Sequence, residues 1–455
     1  MVTIAFIRDI TDQKEFERKL EALAYFDPLT GIANRTLMLE RLDKAAIDHR
    51  DLALLYLALD RFEIVRSSVG HDVADRALAA LAQRLVKDLP HAELVARLGA
   101  VEFGLVVADA ADPLVDDVVA QVQTSLARPI AVEGREVVLA GSIGIVRSGR
   151  QYKAGLEMLR DAAVAADHAR AVRASGHARF LEPMRARAVE AQRIESDLRR
   201  ALESDDQLRL SYQLIVHLDD GKLAGFEALA RWRHPERGLV PAADFIEVAE
   251  QTGLVIPLGL TVLERACLEL AAWPKTSALG VPFFVSVNLS ARQLGHPDLV
   301  SDVGRIIRST GADPTRIKLE ITESAVMANA GAAVEILRRL KDLGVRIAVD
   351  DFGTGYSSLS YLTRLPVDSL KIDQSFIAAI HGSVESRGVV RVVTELGRLL
   401  RLETIAEGVE TAGDLEILRI LACDLGQGFL FSRPLDPEAA TAIITAGRVD
   451  RRKTL

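Results

Sequence analysis

Residues 345–353 read VRIAVDDFG: an apolar run that ends in two adjacent aspartates, an aromatic residue and a glycine. The pattern is that of a buried strand opening into a turn, with Asp350 and Asp351 at its end. Two like charges side by side in a partly buried place repel each other and lose hydration. They are tolerated only where a cation, several donors or open water compensates them.

The same layout recurs through the second half of the chain. From Leu208 onward the strand-like runs are LRLSYQLIV, LAGFEALARW, PFFVSVNLS, RIKLEITES, VRIAVDDFG, SLKIDQSF, ETIAEGVE and GQGFLFSRP. Helical segments such as AAVEILRRLKDLG and GVVRVVTELGRLLR lie between most of them. Eight βα repeats in about 240 residues predict a TIM-type (β/α)8 barrel, a fold whose chemistry sits where strands end and loops begin.

The polar residues near those strand ends are Glu227, Asn288, Glu320, Glu323, Asp350, Asp351, Lys371, Glu407 and Gln427. One such carboxylate alone is commonly a helix cap or an ion-pair partner. Gathered at one barrel mouth, carboxylates and a carboxamide are hard oxygen donors suited to Mg²⁺ or Mn²⁺ rather than zinc. Two divalent cations with a bridging carboxylate would use the set and would let Asp350 and Asp351 stay ionised together. Without metal, one of the two is expected to have a raised pKa. Lys371 lies inside an apolar strand, where an unpaired ammonium is costly, so a role beside an anion is expected.

The chain has 455 residues, 49% hydrophobic and 26% charged, with a formal net charge of −8. That is a globular composition of two or three domains without the basic field that long nucleic acid or an anionic membrane requires. Cys267 and Cys423 are its only cysteines and form no metal-ligand spacing, so core thiols are expected. No apolar run approaches the roughly 20 residues of a membrane helix, and the start lacks a signal-peptide pattern. A soluble cytoplasmic chain is expected.

Residues 27 to about 180 alternate helices and strands around a strand pair in LVARLGAVEFGLVVA and the strand VVLAGSIGIV, an α/β pattern. Met184–Asp205 is charged, lacks Gly and Pro, and is expected to form a semi-rigid helical connector. The opening MVTIAFIR alternates like a strand and runs into a charged helical stretch; it resembles the last strand of a PAS sensor domain and its exit helix.

Taken together, YQ at Gln213, EALAR, NLS, EITE, DDFGTGYSSL, KID, EGVE and QG resemble, in family order, the EAL family of cyclic di-GMP phosphodiesterases. The resemblance implies a TIM-like barrel with one antiparallel strand and metal-dependent hydrolysis of cyclic di-GMP to linear pGpG. By the same resemblance, Glu227, Asn288, Glu320 and Asp350 would hold one metal. Asp350, Asp351 and Glu407 would hold the second. Lys371 would orient or deprotonate the attacking water, with Glu407 and Glu227 also counted as catalytic. Gln213, Leu229, Arg231 and Gln427 would contact substrate, and Glu323 would anchor the loop from Asp351 and support a homodimer through the barrel. Leu214 stands where the family usually has Pro.

DPLTGIANR at 27–35, with LDRFEIVRSSVGHDVAD and SIGIV, resembles the GGDEF family of diguanylate cyclases. Its signature loop here is Gly99, Ala100, Val101, Glu102 and Phe103, so Val101 replaces an acidic metal ligand. Ala58 replaces the first Asp of the DxD motif, leaving Asp60, and Arg66 replaces the Asn that reads guanine, while Asp75 remains. Pro90 to Glu93 replace the inhibitory RxxD motif. A phosphoryl-transfer site without two of its metal ligands loses the required charge neutralisation. A degenerate, regulatory domain with at most weak GTP binding is expected. The resulting organisation is a PAS-like end over 1–25, a GGDEF-like domain over 26–181, a connector over 182–205 and an EAL domain over 194–447. A non-catalytic cyclic di-GMP receptor and a bifunctional enzyme are the competing readings.

Overall fold

The computed structural model describes residues 23–108, 111–172, 175–204, 206–327, 330–354 and 362–446. Most of the PAS-like stretch, Asp205 and the GYSSL part of the DDFGTGYSSL loop lie outside the described residues. The chain divides into two compact units, 1–190 and 191–455.

The first unit is built on β1 (Ala33–Asn34), β2 (Leu52–Asp60), β3 (Ala92–Arg97), β4 (Glu102–Ala108), β7 (Ala140–Arg147) and β8 (His177–Arg179), in the sheet order β1-β3-β4-β2-β7-β8. The run VVLAGSIGIV is two elements rather than one. Its first residue, Val137, ends β6 (Arg135–Val137), which pairs only with β5 (Ile130–Val132) in a separate hairpin. Alternation along β2 splits the core between two sheet faces. Leu55, Leu57 and Leu59 pack with helices His71–Asp88 and Asp112–Ala127. Leu52 and Leu54 pack with helices Arg35–Ile47 and Gly155–Val172. Asn34 caps the helix Arg35–Ile47 by accepting from the amides of Thr36 and Leu37. The helix Glu182–Leu202 follows.

In the second unit β9 (Leu208–His217), β10 (Leu223–His234), β12 (Phe284–Asn288), β13 (Ile317–Thr322), β14 (Arg346–Phe352), β15 (Ser369–Ile372), β16 (Glu403–Ala406) and β17 (Leu425–Gln427) close into an eight-stranded barrel. The short β11 (Gly238–Val240) pairs with the end of β10 outside the ring. β9 is antiparallel to both β10 and β17, and the other neighbours are parallel. Strand alternation sends Tyr212, Leu214, Phe226 and Trp232 into the large outer core, while Ile215, Ala224, Phe284, Ile405 and Leu425 form a small cluster of their own. The run GQGFLFSRP is mostly not strand: β17 stops at Gln427 because the chain turns at Gly428. There φ is +157°, and a Cβ would meet the Val409 carbonyl oxygen at 2.1 Å.

Candidate metal centre at the barrel mouth

Asn288, Glu320, Asp350, Lys371 and Gln427 lie at or near the carboxyl ends of barrel strands, Glu227 lies within the long β10 opposite Ser286 of β12, and Glu407 is the residue after β16. Register places them side by side: Glu227 opposes Gln213, Asn288 opposes Glu320, and Asp350 opposes Thr322. The Glu407 amide donates to the Ile372 carbonyl at 3.1 Å, which carries Glu407 toward Lys371.

The centre of the arrangement is the Lys371 ammonium, fully buried on β15. It lies 2.5 Å from Glu407 Oε1, 2.6 Å from Glu320 Oε2, 3.4 Å from Asp350 and 3.6 Å from Glu227 Oε2. Around it, Asn288 Nδ2 donates to Glu227 Oε1 at 2.6 Å and Gln427 Nε2 donates to Glu227 Oε2 at 2.6 Å. Gln427 Nε2 also reaches Gln213 Oε1 at 2.9 Å. Eight of the expected site residues thus form one connected network.

Adjacent strand residues normally face opposite sides, so two neighbouring aspartates should not share a site. The pairing of β14 with β15 is irregular between Val349 and Phe352, and Asp351 has φ +55°, in the left-handed region. That bulge re-aims the second carboxylate, and Asp tolerates this conformation better than most residues. As a result, oxygens of Asp350, Asp351 and Glu407 lie within 4.8 Å of one another. Glu323 accepts from the Gly353 amide at 3.0 Å, two residues beyond the bulge. Leu229 and Arg231 follow Glu227 at period two on the same face of β10, half-buried, with Arg231 donating to the Ala230 carbonyl. Ala58, Arg66 and Val101 belong to the first unit, not to this site.

Asp373 was missed. It belongs to the KID motif, from which only the lysine was read, and its carboxyl contacts that of Asp351 while capping the helix Gln374–Ala378. Its place one residue beyond the end of β15 was the available signal.

The electrostatics separate the carboxyls. Burial pushes Glu407 up to about 8, against the pull of Lys371 and with added repulsion from Asp350 and Glu227. Burial likewise raises Glu320 to about 7. Burial and then Asp350 raise Asp351 to about 6. Glu227 goes the other way: burial would raise it, but Lys371 and the amides of Gln427 and Asn288 bring it below its ordinary value. Burial works against the charge on Lys371, yet Glu227, Glu320, Glu407 and Asp350 hold it well above the usual lysine range.

Folded carboxyls with raised values bind protons that the unfolded chain has already released, so stability falls as pH rises through about 6 to 8. Glu227 contributes nothing across that window, because its transition lies lower. Chelator-treated protein is therefore expected to melt at a higher temperature at pH 6 than at pH 8, and saturating Mg²⁺ should reverse the order by displacing those protons. Thermal unfolding at the two pH values checks this; a chelated sample more stable at pH 8 would contradict it.

The donors fit a divalent-cation centre. They are all oxygen, three carboxylates converge within bridging reach, and Glu320 Oε1 is buried without a hydrogen-bond partner among the described residues. A barrel with such a cluster at its mouth has the donors to hold divalent cations.

Residues 195–434 match the model of the EAL domain, and residues 24–174 match that of the diguanylate cyclase, GGDEF domain. The chain belongs to the EAL domain family and carries a GGDEF domain ahead of it. It is 36% identical over 436 residues to cyclic di-GMP phosphodiesterase NbdA of Pseudomonas aeruginosa, covering 95% of this chain and 55% of that protein. It is 38% identical over 432 residues to bifunctional diguanylate cyclase/cyclic di-GMP phosphodiesterase MucR of the same organism, covering 94% of this chain and 62% of that protein. The solved PaMucR phosphodiesterase in complex with c-di-GMP aligns at a TM-score of 0.52 and 42% identity, covering 55% of this chain and 99% of that one. The chain thus spans little more than half the length of these curated relatives. Among the described residues, no helix is long and apolar enough to cross a membrane.

Proposed function

We propose that this chain hydrolyses cyclic di-GMP to linear pGpG at the barrel mouth, using two Mg²⁺ or Mn²⁺ ions. The observation that carries the proposal is the complete donor set, Glu227, Asn288, Glu320, Asp350, Asp351 and Glu407, assembled around Lys371. The names of the relatives support the same substrate. Bound there, divalent cations supply charge neutralisation for the phosphoryl oxygens and a hydroxide at neutral pH.

The chain's own residues do the rest. Lys371 would orient or deprotonate the attacking water from its place among the carboxylates. Asn288 and Gln427 hold Glu227 in one rotamer, and Gln213, Gln427, Leu229 and Arg231 form the wall against which the substrate is placed. Incubation with cyclic di-GMP and Mg²⁺ or Mn²⁺, followed by separation of products, tests the reading. Binding without pGpG would favour a non-catalytic receptor, a reading disfavoured by the full donor set.

For the first unit we propose a regulatory role without cyclase activity. Asp60, the remaining acid of its DxD motif, accepts from Arg170 Nε at 2.7 Å, Ser142 Oγ at 2.9 Å and the Ser175 amide at 3.1 Å. A carboxylate so occupied has little left to offer a metal, and Ala58 and Val101 offer nothing. Incubation with GTP is expected to yield no cyclic di-GMP, which would distinguish this chain from a bifunctional relative. An effector shifts an equilibrium only by its differential affinity, so GTP up to about millimolar levels is expected to change the hydrolysis rate less than about fivefold. A larger saturable effect abolished by Asp75→Ala would contradict this.

We also propose a homodimer through the barrel, in which Glu323 couples the loop to the centre. Glu323→Ala is expected to lower both activity and association, because the Gly353 amide beside the bulge loses its acceptor. Light scattering together with the hydrolysis assay checks it; a fully active monomer would sink the dimer proposal.

A further inference from the structure

Lys371 makes more contacts than the orientation of one water requires. Its ammonium touches four carboxylates contributed by β10, β13, β14 and the end of β16. It is the only Lys or Arg paired with any of them among the described ion pairs. Glu227, Glu320, Asp350, Asp351 and Glu407 together carry five potential negative charges in a largely buried place. Without a positive charge at their centre, mutual repulsion would drive the strand ends apart or force the carboxyls to take up protons.

We propose that Lys371 is a tethered counter-ion: it holds Glu227, Glu320, Asp350 and Glu407 assembled before metal arrives, and it competes with the divalent cations for Glu320 and Glu407. The inference rests on the metal-dependent reading and extends it to how the centre is loaded. The contacts to Glu320 and Glu407 are the shortest, and both residues belong to the proposed donor set, so the ammonium occupies oxygens that cations need. Glu320 keeps one oxygen, Oε1, buried and unpartnered, which gives an entering cation a first foothold. Lys371 can release Glu320 and Glu407 without leaving the site, because Asp350 and Glu227 lie within 3.6 Å. With two divalent ions the five carboxylates and the lysine sum to zero charge, −5 + 1 + 4. A single divalent ion leaves the site negative, so loading both is favoured.

Two neutral variants, Lys371→Met and Lys371→Gln, test this without relying on turnover. Calorimetric titration with Ca²⁺ and thermal unfolding in chelator are measured on each and on the unmodified chain. Both variants are expected to bind Ca²⁺ at least about tenfold more tightly, because a positive charge is removed from beside the donors. Both should also melt lower than the unmodified chain in chelator and approach it in saturating Ca²⁺. If a folded variant binds Ca²⁺ equally or more weakly, Lys371 supports the metal instead of competing with it, and the inference is overturned. Unchanged melting in chelator would overturn it as well. If the unmodified chain itself binds no divalent cation, the reading of the metal centre fails first, and that outcome is separate. Should Lys371→Met not fold, Lys371→Gln keeps two donors for the same carboxylates, and its Ca²⁺ affinity decides alone.

Discussion

Glu227→Ala is expected to lower the rate of cyclic di-GMP hydrolysis at least about a thousandfold. The carboxylate is buried and approached by three donors, Asn288, Gln427 and Lys371. Its removal strips a proposed metal ligand, takes the acceptor from Asn288 and leaves Gln427 with Gln213 alone. Metal stabilisation of developing phosphoryl charge is worth several kcal/mol, and about 4 kcal/mol corresponds to about a thousandfold. Initial rates at limiting Mg²⁺ are the measurement, with circular dichroism to establish that the barrel is intact. Activity within tenfold of the unmodified chain would remove Glu227 from the ligand set.

The second large effect is on turnover at Lys371. Lys371→Met is expected to reduce kcat by about a hundredfold or more while cyclic di-GMP still binds, since positioned proton donors and acceptors contribute roughly 10²–10⁴. Neither the proposed substrate wall of Gln213 and Gln427 nor Arg231 touches Lys371 among the described contacts. Titration of cyclic di-GMP in Ca²⁺ separates binding from chemistry. If substrate binding disappears along with turnover, Lys371 belongs to the recognition surface.

What the sequence made legible was what depends on position along a strand. Glu227, Asn288, Glu320 and Lys371 could be assigned to one site because each ends an apolar run, and a parallel barrel aligns the ends of its strands. For two expected members of the site, the aspartate pair and Lys371, the sequence did not hold the physical cause. Period two predicts that Asp350 and Asp351 diverge, and only the bulge with its left-handed Asp351 brings them together, a backbone event that no side-chain pattern encodes. Likewise, an isolated lysine in SLKID does not announce that it reaches four carboxylates 21 to 144 positions away in sequence. The overlong reading of GQGFLFSRP has a different cause. Its aromatic residues have strand propensity, but Gly428 must approach the Val409 backbone too closely for any side chain, and the turn overrides the propensity. In the first unit, the apolar residues at Ala58 and Val101 could be read from the letters, whereas the pairing of Asp60 with Arg170 required the fold.

The antiparallel β9 has a consequence for the newborn chain. It is the first barrel strand to leave the ribosome, and it closes the ring against the last, so that Gln213 meets Gln427 across 214 positions. At about 5–20 residues per second, β9 waits on the order of 10–40 s for its partner. Throughout that interval the growing sheet has an open edge, a hazard that pairing with β10 relieves on one side only. A nascent or truncated chain lacking β17 also lacks the Gln427 amide that donates to Glu227, so it can neither seal its barrel nor complete the network at its mouth. Strand order therefore makes the emergence of β17 a precondition for an assembled centre.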